Sequence, residues 1–306
     1  MRSCLRQTTR NSWPKRRDTD LPTAAAPSQT HVIPVPYDLG RRDYRMGLGP
    51  AHLVKNALPA DRKISLERVE VPESSFEIGT TFQTLRSISQ SVQCAIQRQW
   101  FPLVLAGSCI SSVGTLAGMG RKPVTVIWFD AHGDFNTPET TITGFLDGMA
   151  LAAITGRCWR ALTETVEGFE RVWEQDVILI GGRDLDPVER ELLEASEIAH
   201  LEVGPLGERL VEQALEKTLD RLKPDRIYLH IDLDVLDVEE ATVNEYSSPG
   251  GLTVEMLLKC VRKVIATEAV VAAAITAYDP LCDADGKALR AASKVISELC
   301  AIAAST

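Results

Sequence analysis

A chain of 306 residues, 44% hydrophobic and 25% charged, has room for one large α/β domain or two small ones. No run approaches the roughly 18 to 20 uninterrupted apolar residues of a membrane-spanning helix, so no membrane partner is expected. The net charge of −9 opposes the basic surface that a nucleic-acid partner requires.

The first acid, Asp18, comes only after Arg2, Arg6, Arg10, Lys15, Arg16 and Arg17, and residues 1–30 carry neither strand nor helix periodicity. They read as a disordered basic tail. An Arg-rich, acid-poor organelle-targeting peptide is the alternative, which would place the protein in an organelle matrix. Seven cysteines without a CxxC pair otherwise describe a reducing, cytoplasmic compartment.

Residues 31–306 read as one domain. Apolar, β-branched runs at 31–38, 65–72, 102–107, 124–130, 176–182, 226–234 and 270–279 predict strands. Helical patterns begin at Pro50 and cover 81–100, 148–155, 187–196, 206–222, 253–266 and 286–303. Continuous apolar strands alternating with helices predict an α/β fold with a mostly parallel sheet covered on both faces.

In such sheets ligands bind at the carboxyl ends of strands. Polar clusters fall there: "AGSC" at 106–109, "DAHGDFN" at 130–136, "GGRDLD" at 181–186 and "HIDLDVLD" at 230–237. Asp130, His132 and Asp134 alternate, as do His230, Asp232 and Asp234, and alternate residues of a strand share a face. A lone Asp at a strand end is usually a cap or turn former, and a lone His usually a satisfied core residue. Four carboxylates and two imidazoles in one volume need a positive partner. Mostly oxygen ligands suit Mn2+ better than a structural zinc site, and four carboxylates neutralise two divalent ions.

The "DAHGD" and "DLDVLD" segments resemble the two metal motifs of the ureohydrolases, a family that includes arginase, agmatinase and formiminoglutamase, and the resemblance runs from about His31 to the C-terminus. It implies a three-layer α/β/α fold, two Mn2+ ions, and hydrolysis of a guanidino or related C–N bond of a small molecule by a hydroxide bridging the ions. It also implies a homo-oligomer, a trimer or hexamer. Carried over by position, Asp130 and Asp232 bridge the ions, Asp134 serves one, and His132 and Asp234 serve the other. Cys109 stands where the family has a histidine ligand. His230 occupies a position usually held by a small hydroxyl residue, as an orienting partner, a proton carrier or a substitute ligand.

On the substrate side the resemblance assigns Asn136 and Thr143 to an α-carboxylate and Asp186 to an α-amino group. Asp134 would pass a proton to the departing amine, and Asp147, replacing the histidine of an "LHG" segment, would relay protons with His230. Ala277 replaces the glutamate that pairs with a guanidinium. The expected substrate is therefore an arginine-like amino acid with a less basic terminus, such as N-hydroxyarginine, releasing urea or hydroxyurea. Agmatinase-like or formiminoglutamase-like hydrolysis is one alternative. A non-catalytic family subunit with a degraded first metal site is another.

Overall fold

The computed structural model describes residues 26–72, 76–203 and 207–304, so most of the expected N-terminal tail lies outside the described residues. Thr30, at the end of that tail, already belongs to a strand.

Among the described residues ten strands follow in chain order: β1 Thr30–Val35, β2 Tyr37–Asp38, β3 Arg41–Arg42, β4 Ile64–Leu66, β5 Phe101–Ala106, β6 Thr125–Asp130, β7 Val177–Gly181, β8 Ala199–Glu202, β9 Ile227–Asp232 and β10 Val270–Thr276. Eight of them form one sheet in the order β4-β1-β5-β10-β9-β6-β7-β8, with every neighbouring pair parallel. The short β2 and β3 pair antiparallel apart from it. The central strands are buried along their whole length, which is why their sequences run apolar rather than alternating.

Helices cover both faces. Odd-numbered residues of the central strands, such as Leu103, Leu105, Phe129 and Ile231, pack with α1 (Gly49–Asn56), α7 (Glu208–Leu222), α8 (Val254–Ile265) and α9 (Lys287–Cys300). Even-numbered residues, such as Val104, Val126, Trp128 and Tyr228, face the other core, with α2 (Glu77–Gln97), α3 (Ser111–Met119) and α4 (Ala150–Thr155). The fold is the expected α/β architecture, a parallel sheet between two helical layers.

Besides the short β3 and a four-residue helix at Arg160–Thr163, two larger elements escape the sequence reading. α3, "SSVGTLAGM", is buried at every position and so shows no amphipathic period. Its glycines are required by packing on α2: a Cβ on Gly114 or Gly118 would lie 2.6 Å from the carbonyl oxygen of Leu85 or Ser89. β8 is four residues long and only partly buried. The expected strand at 65–72 ends early at Leu66, although Glu67 and Val69 still donate to the carbonyls of Val32 and Pro34 along the sheet edge.

Candidate metal centre

Sheet register assembles the centre. β6 and β9 pair with Trp128 opposite His230, and β9 and β10 pair with His230 opposite Ala274 and Asp232 opposite Thr276. Trp128, His230 and Ala274 thus form one row across the sheet. Two residues further along the same face come Asp130, Asp232 and Thr276, at the carboxyl edge. The inner row is closed by packing, with the Trp128 and His230 rings stacked at 3.6 Å between centroids.

Strand periodicity accounts for only part of the convergence anticipated from sequence. β6 ends at Asp130 and β9 at Asp232, so His132 and Asp134 lie in a loop and Asp234 in a short 3-10 turn, Leu233–Val235. The loops carry them back. His132 Nδ1 lies 3.2 Å from Asp130 Oδ1 and 3.4 Å from Asp234 Oδ2. Asp134 has φ of 48°, in the left-handed region that a non-glycine residue enters at a cost, and its carbonyl accepts from the Ala152 N–H. From the turn between β5 and α3, the Cys109 thiol donates to Asp232 Oδ2 at 3.0 Å and lies 3.1 Å from Thr276 Oγ1.

The electrostatics call for cations. Burial, then the neighbouring carboxylates, push the Asp130, Asp134 and Asp232 carboxyls upward. The same causes push the Cys109 thiol up. Burial opposes a charge on His132, but Asp234 and Asp130 overcome it and raise this imidazole to about 10. One imidazolium cannot balance four clustered carboxylates, and Asp134 Oδ2 is buried with no hydrogen-bond partner among the described residues. Two groups of donor atoms each lie within 4.8 Å of one another, namely Asp130, His132 and Asp234, and Cys109, Asp130 and His230. The donor set therefore fits divalent ions, with Asp130 common to both groups.

A cavity of about 290 Å3 connects this cluster to the surface. Cys109, Asp130, His132, Asp134, Asp232 and Asp234 line its floor, and Asn136, Thr143, Asp147, Asp186 and Ala277 line its walls. His230 is not among the lining residues: it is fully buried beneath Asp232, its Nδ1 2.9 Å from the Tyr228 hydroxyl and its Nε2 3.2 Å from Thr276 Oγ1. Asp147 accepts from the Ser108 hydroxyl at 2.6 Å and the Ile110 N–H at 2.8 Å, and burial raises its carboxyl to about 7. Asp186 serves twice. It forms a capping box with Glu189 at the start of α6 (Pro187–Glu194), and its Oδ2 accepts from Asn136 Nδ2 at 3.1 Å. Thr143 is exposed at the mouth, its hydroxyl accepting from the Phe145 N–H.

Sequence reasoning missed three residues here. Asn244 is buried and donates from Nδ2 to Asp234 Oδ2 at 3.1 Å and to the Ala277 carbonyl at 2.9 Å. Arg183 donates to the carbonyls of Asp234, Val235, Leu236, Ser248 and Pro249, tying the segment after β9 into one piece. Tyr246 lines the cavity beside Phe145 and receives Arg45 on its hydroxyl. No periodicity marks them; the cues are the polar, irregular run "VNEYSSPGG" for Asn244 and Tyr246 and the polar strand end "GGRDLD" for Arg183.

The sequence profile of the arginase family matches residues 28–301. The chain belongs to the arginase family. It is 28% identical over 285 residues to the arginase of Bacillus subtilis (strain 168), covering 88% of this chain and 96% of that protein. It is 33% identical over 172 residues to an N(omega)-hydroxy-L-arginine amidinohydrolase of Streptomyces lavendulae, covering 56% of this chain and 58% of that one. The solved arginase of Bacillus caldovelox superposes with a TM-score of 0.81 at 27% identity, covering 90% of this chain and 98% of that one. As a member of this family, the protein is a hydrolase acting on C–N bonds of linear amidines. Among the described residues no helix is long and apolar enough to cross a membrane.

Proposed function

We propose that the protein is a binuclear metal hydrolase that cleaves the terminal C–N bond of an arginine-like amino acid whose terminal group is less basic than a guanidinium, N-hydroxyarginine being the model substrate. Ala277 carries this reading. It lines the cavity above Asp232 and Asp234 with a methyl group, where a guanidinium would require a carboxylate. Asp147, the neighbouring acid, already receives two hydrogen bonds from Ser108 and Ile110. An N-hydroxyguanidine is much less cationic near neutral pH, so it suffers less from the missing partner. The similarity to a hydroxyarginine amidinohydrolase supports the same choice.

Asp130, His132, Asp134, Asp232, Asp234 and Cys109 would hold two divalent ions, Mn2+ being suited to the carboxylates. When bound, such ions would lower the pKa of water and stabilise the negative charge that develops on the heteroatoms around the attacked carbon. The chain supplies the rest. Asn136, Thr143 and Asp186 orient the α-amino acid end, Asp134 hands a proton to the departing amine, and Asp147 exchanges protons with the cavity. His230 stands behind the carboxylates and orients Asp232 through Thr276. A homo-oligomer, trimer or hexamer, is the proposed assembly, to be measured by sedimentation.

The decisive experiment compares kcat/KM for arginine, N-hydroxyarginine, agmatine, guanidinobutyrate and formiminoglutamate by urea, hydroxyurea or amine release. N-hydroxyarginine should lead. A preference for arginine over every less basic analogue would refute the reading.

A further inference from the structure

The two donor groups around Asp130 differ in depth and in chemistry. Asp130, His132 and Asp234 offer two carboxylates and an imidazole, and the His132 side chain is 28% exposed. Cys109, Asp130 and His230 offer a thiol, a carboxylate and an imidazole, and none of the three is more than 2% exposed. His230 is also fixed as a ligand ring would be. Its face is clamped against Trp128, its Nδ1 is tied to the Tyr228 hydroxyl, and its Nε2 looks towards the Thr276 hydroxyl, 3.1 Å from the Cys109 sulfur. A ring held by one nitrogen presents the other at a defined place. Asp232, which accepts from the thiol at 3.0 Å, brings a further carboxylate to the same spot.

We propose that Cys109 and His230 both ligate the deeper of the two ions, making the centre chemically uneven, with a soft half selective for zinc, cobalt(II) or iron(II) and a hard half that accepts manganese. The inference rests on the binuclear reading above and changes it at one residue, replacing the orienting role of His230 with direct ligation. A thiolate and an imidazole rank these metals well above manganese, whereas carboxylates discriminate little. The bound ion itself holds the sulfur as thiolate, and the thiol proton leaves to solvent on loading.

The test uses the full-length protein, stripped with a chelator and reloaded with Co2+. The expected result is two cobalt ions per chain and a thiolate-to-cobalt charge-transfer band in the near ultraviolet. Cys109→Ser should abolish that band. His230→Gln should keep it but weaken binding of the deeper ion by more than about a hundredfold, beyond the roughly 10- to 100-fold that loss of a merely supporting residue costs, and should remove one nitrogen scatterer from the X-ray absorption of the zinc-loaded protein. Loading with equimolar Zn2+ and Mn2+ should leave one zinc and one manganese per wild-type chain. Two cobalt ions without the band, or a His230→Gln protein with unchanged affinity and spectrum, would overturn the uneven centre and leave the binuclear reading standing. No cobalt binding at all would overturn both. If the variants fail to fold, X-ray absorption on the zinc-loaded wild type decides alone. A sulfur shell at about 2.3 Å is expected, and its absence would sink the proposal.

Discussion

Asp130, Asp232 and Thr276 stand side by side because three central strands are held in register, whereas Asn136, Thr143 and Asp186 are placed by loops and a helix cap. The floor of the cavity is deeply buried and crowded with carboxylates whose charge is opposed by burial and by one another. Its mouth is partly exposed and held by local hydrogen bonds such as that from Asn136 to Asp186. Changes on the floor should therefore act on the chemistry, and changes at the mouth on recognition.

The most damaging single change should be Asp232→Ala. Its carboxylate faces the thiol, the Thr276 hydroxyl and the Asp234 N–H, so its loss should release metal and lower kcat/KM by about a thousandfold or more. Full metal content in that variant, measured by elemental analysis, would show that the floor is not organised as described. Next comes Asp147→Asn, which keeps the shape but removes the proton exchange of a carboxyl poised at about 7. A fall in kcat of about a hundredfold with little change in KM, and a flattened pH profile near neutrality, are expected. An unchanged profile would return Asp147 to a purely structural role.

Ala277→Glu should sharpen the contrast between a methyl-lined and a carboxylate-lined wall. Ala277 has φ of 57°, a strain already borne by a residue with a Cβ, so glutamate adds no new backbone cost. Preference should shift towards arginine by roughly ten- to a hundredfold, that is about 1 to 3 kcal/mol. At the mouth, Asn136→Ala should raise KM by about tenfold with kcat preserved, since it removes a hydrogen-bonding group that also supports Asp186. An equal loss in kcat would mean that floor and mouth are not separable.

The smallest effect concerns stability. Burial raises the Asp38 carboxyl, wholly shielded from solvent, from an ordinary 3.8 to about 7, with Arg45 3.8 Å away opposing the shift. The folded state then holds its proton more tightly than the unfolded state. The associated stability is full below about 4 and lost as pH rises to about 7. Between those limits the Tm of metal-free wild type should fall relative to Asp38→Asn by about a few degrees. Parallel curves would show that the carboxyl is compensated.

Much of this molecule follows from sequence alone. The buried strands announce themselves as continuous apolar runs, because a parallel sheet covered on both faces has no solvent side to mark. The paired Asp/His motifs and the substitutions at Cys109, Asp147 and Ala277 are equally legible, since residue type is all they require. Tertiary structure decided the rest. Period two explains why His230 and Asp232 share a face, but His132, Asp134 and Asp234 reach the cluster through a left-handed residue and a 3-10 turn that no periodicity encodes. α3 is invisible in the pattern because burial on all sides erases amphipathicity, and its glycines make sense only against the carbonyls of α2. Asn244, Arg183 and Tyr246 belong to the site through contacts that cross the chain, and His230 acquires its posture from Trp128 on the neighbouring strand. Local sequence determines which side chains are available; strand register and loop return determine which of them meet, because those depend on partners distant in the chain.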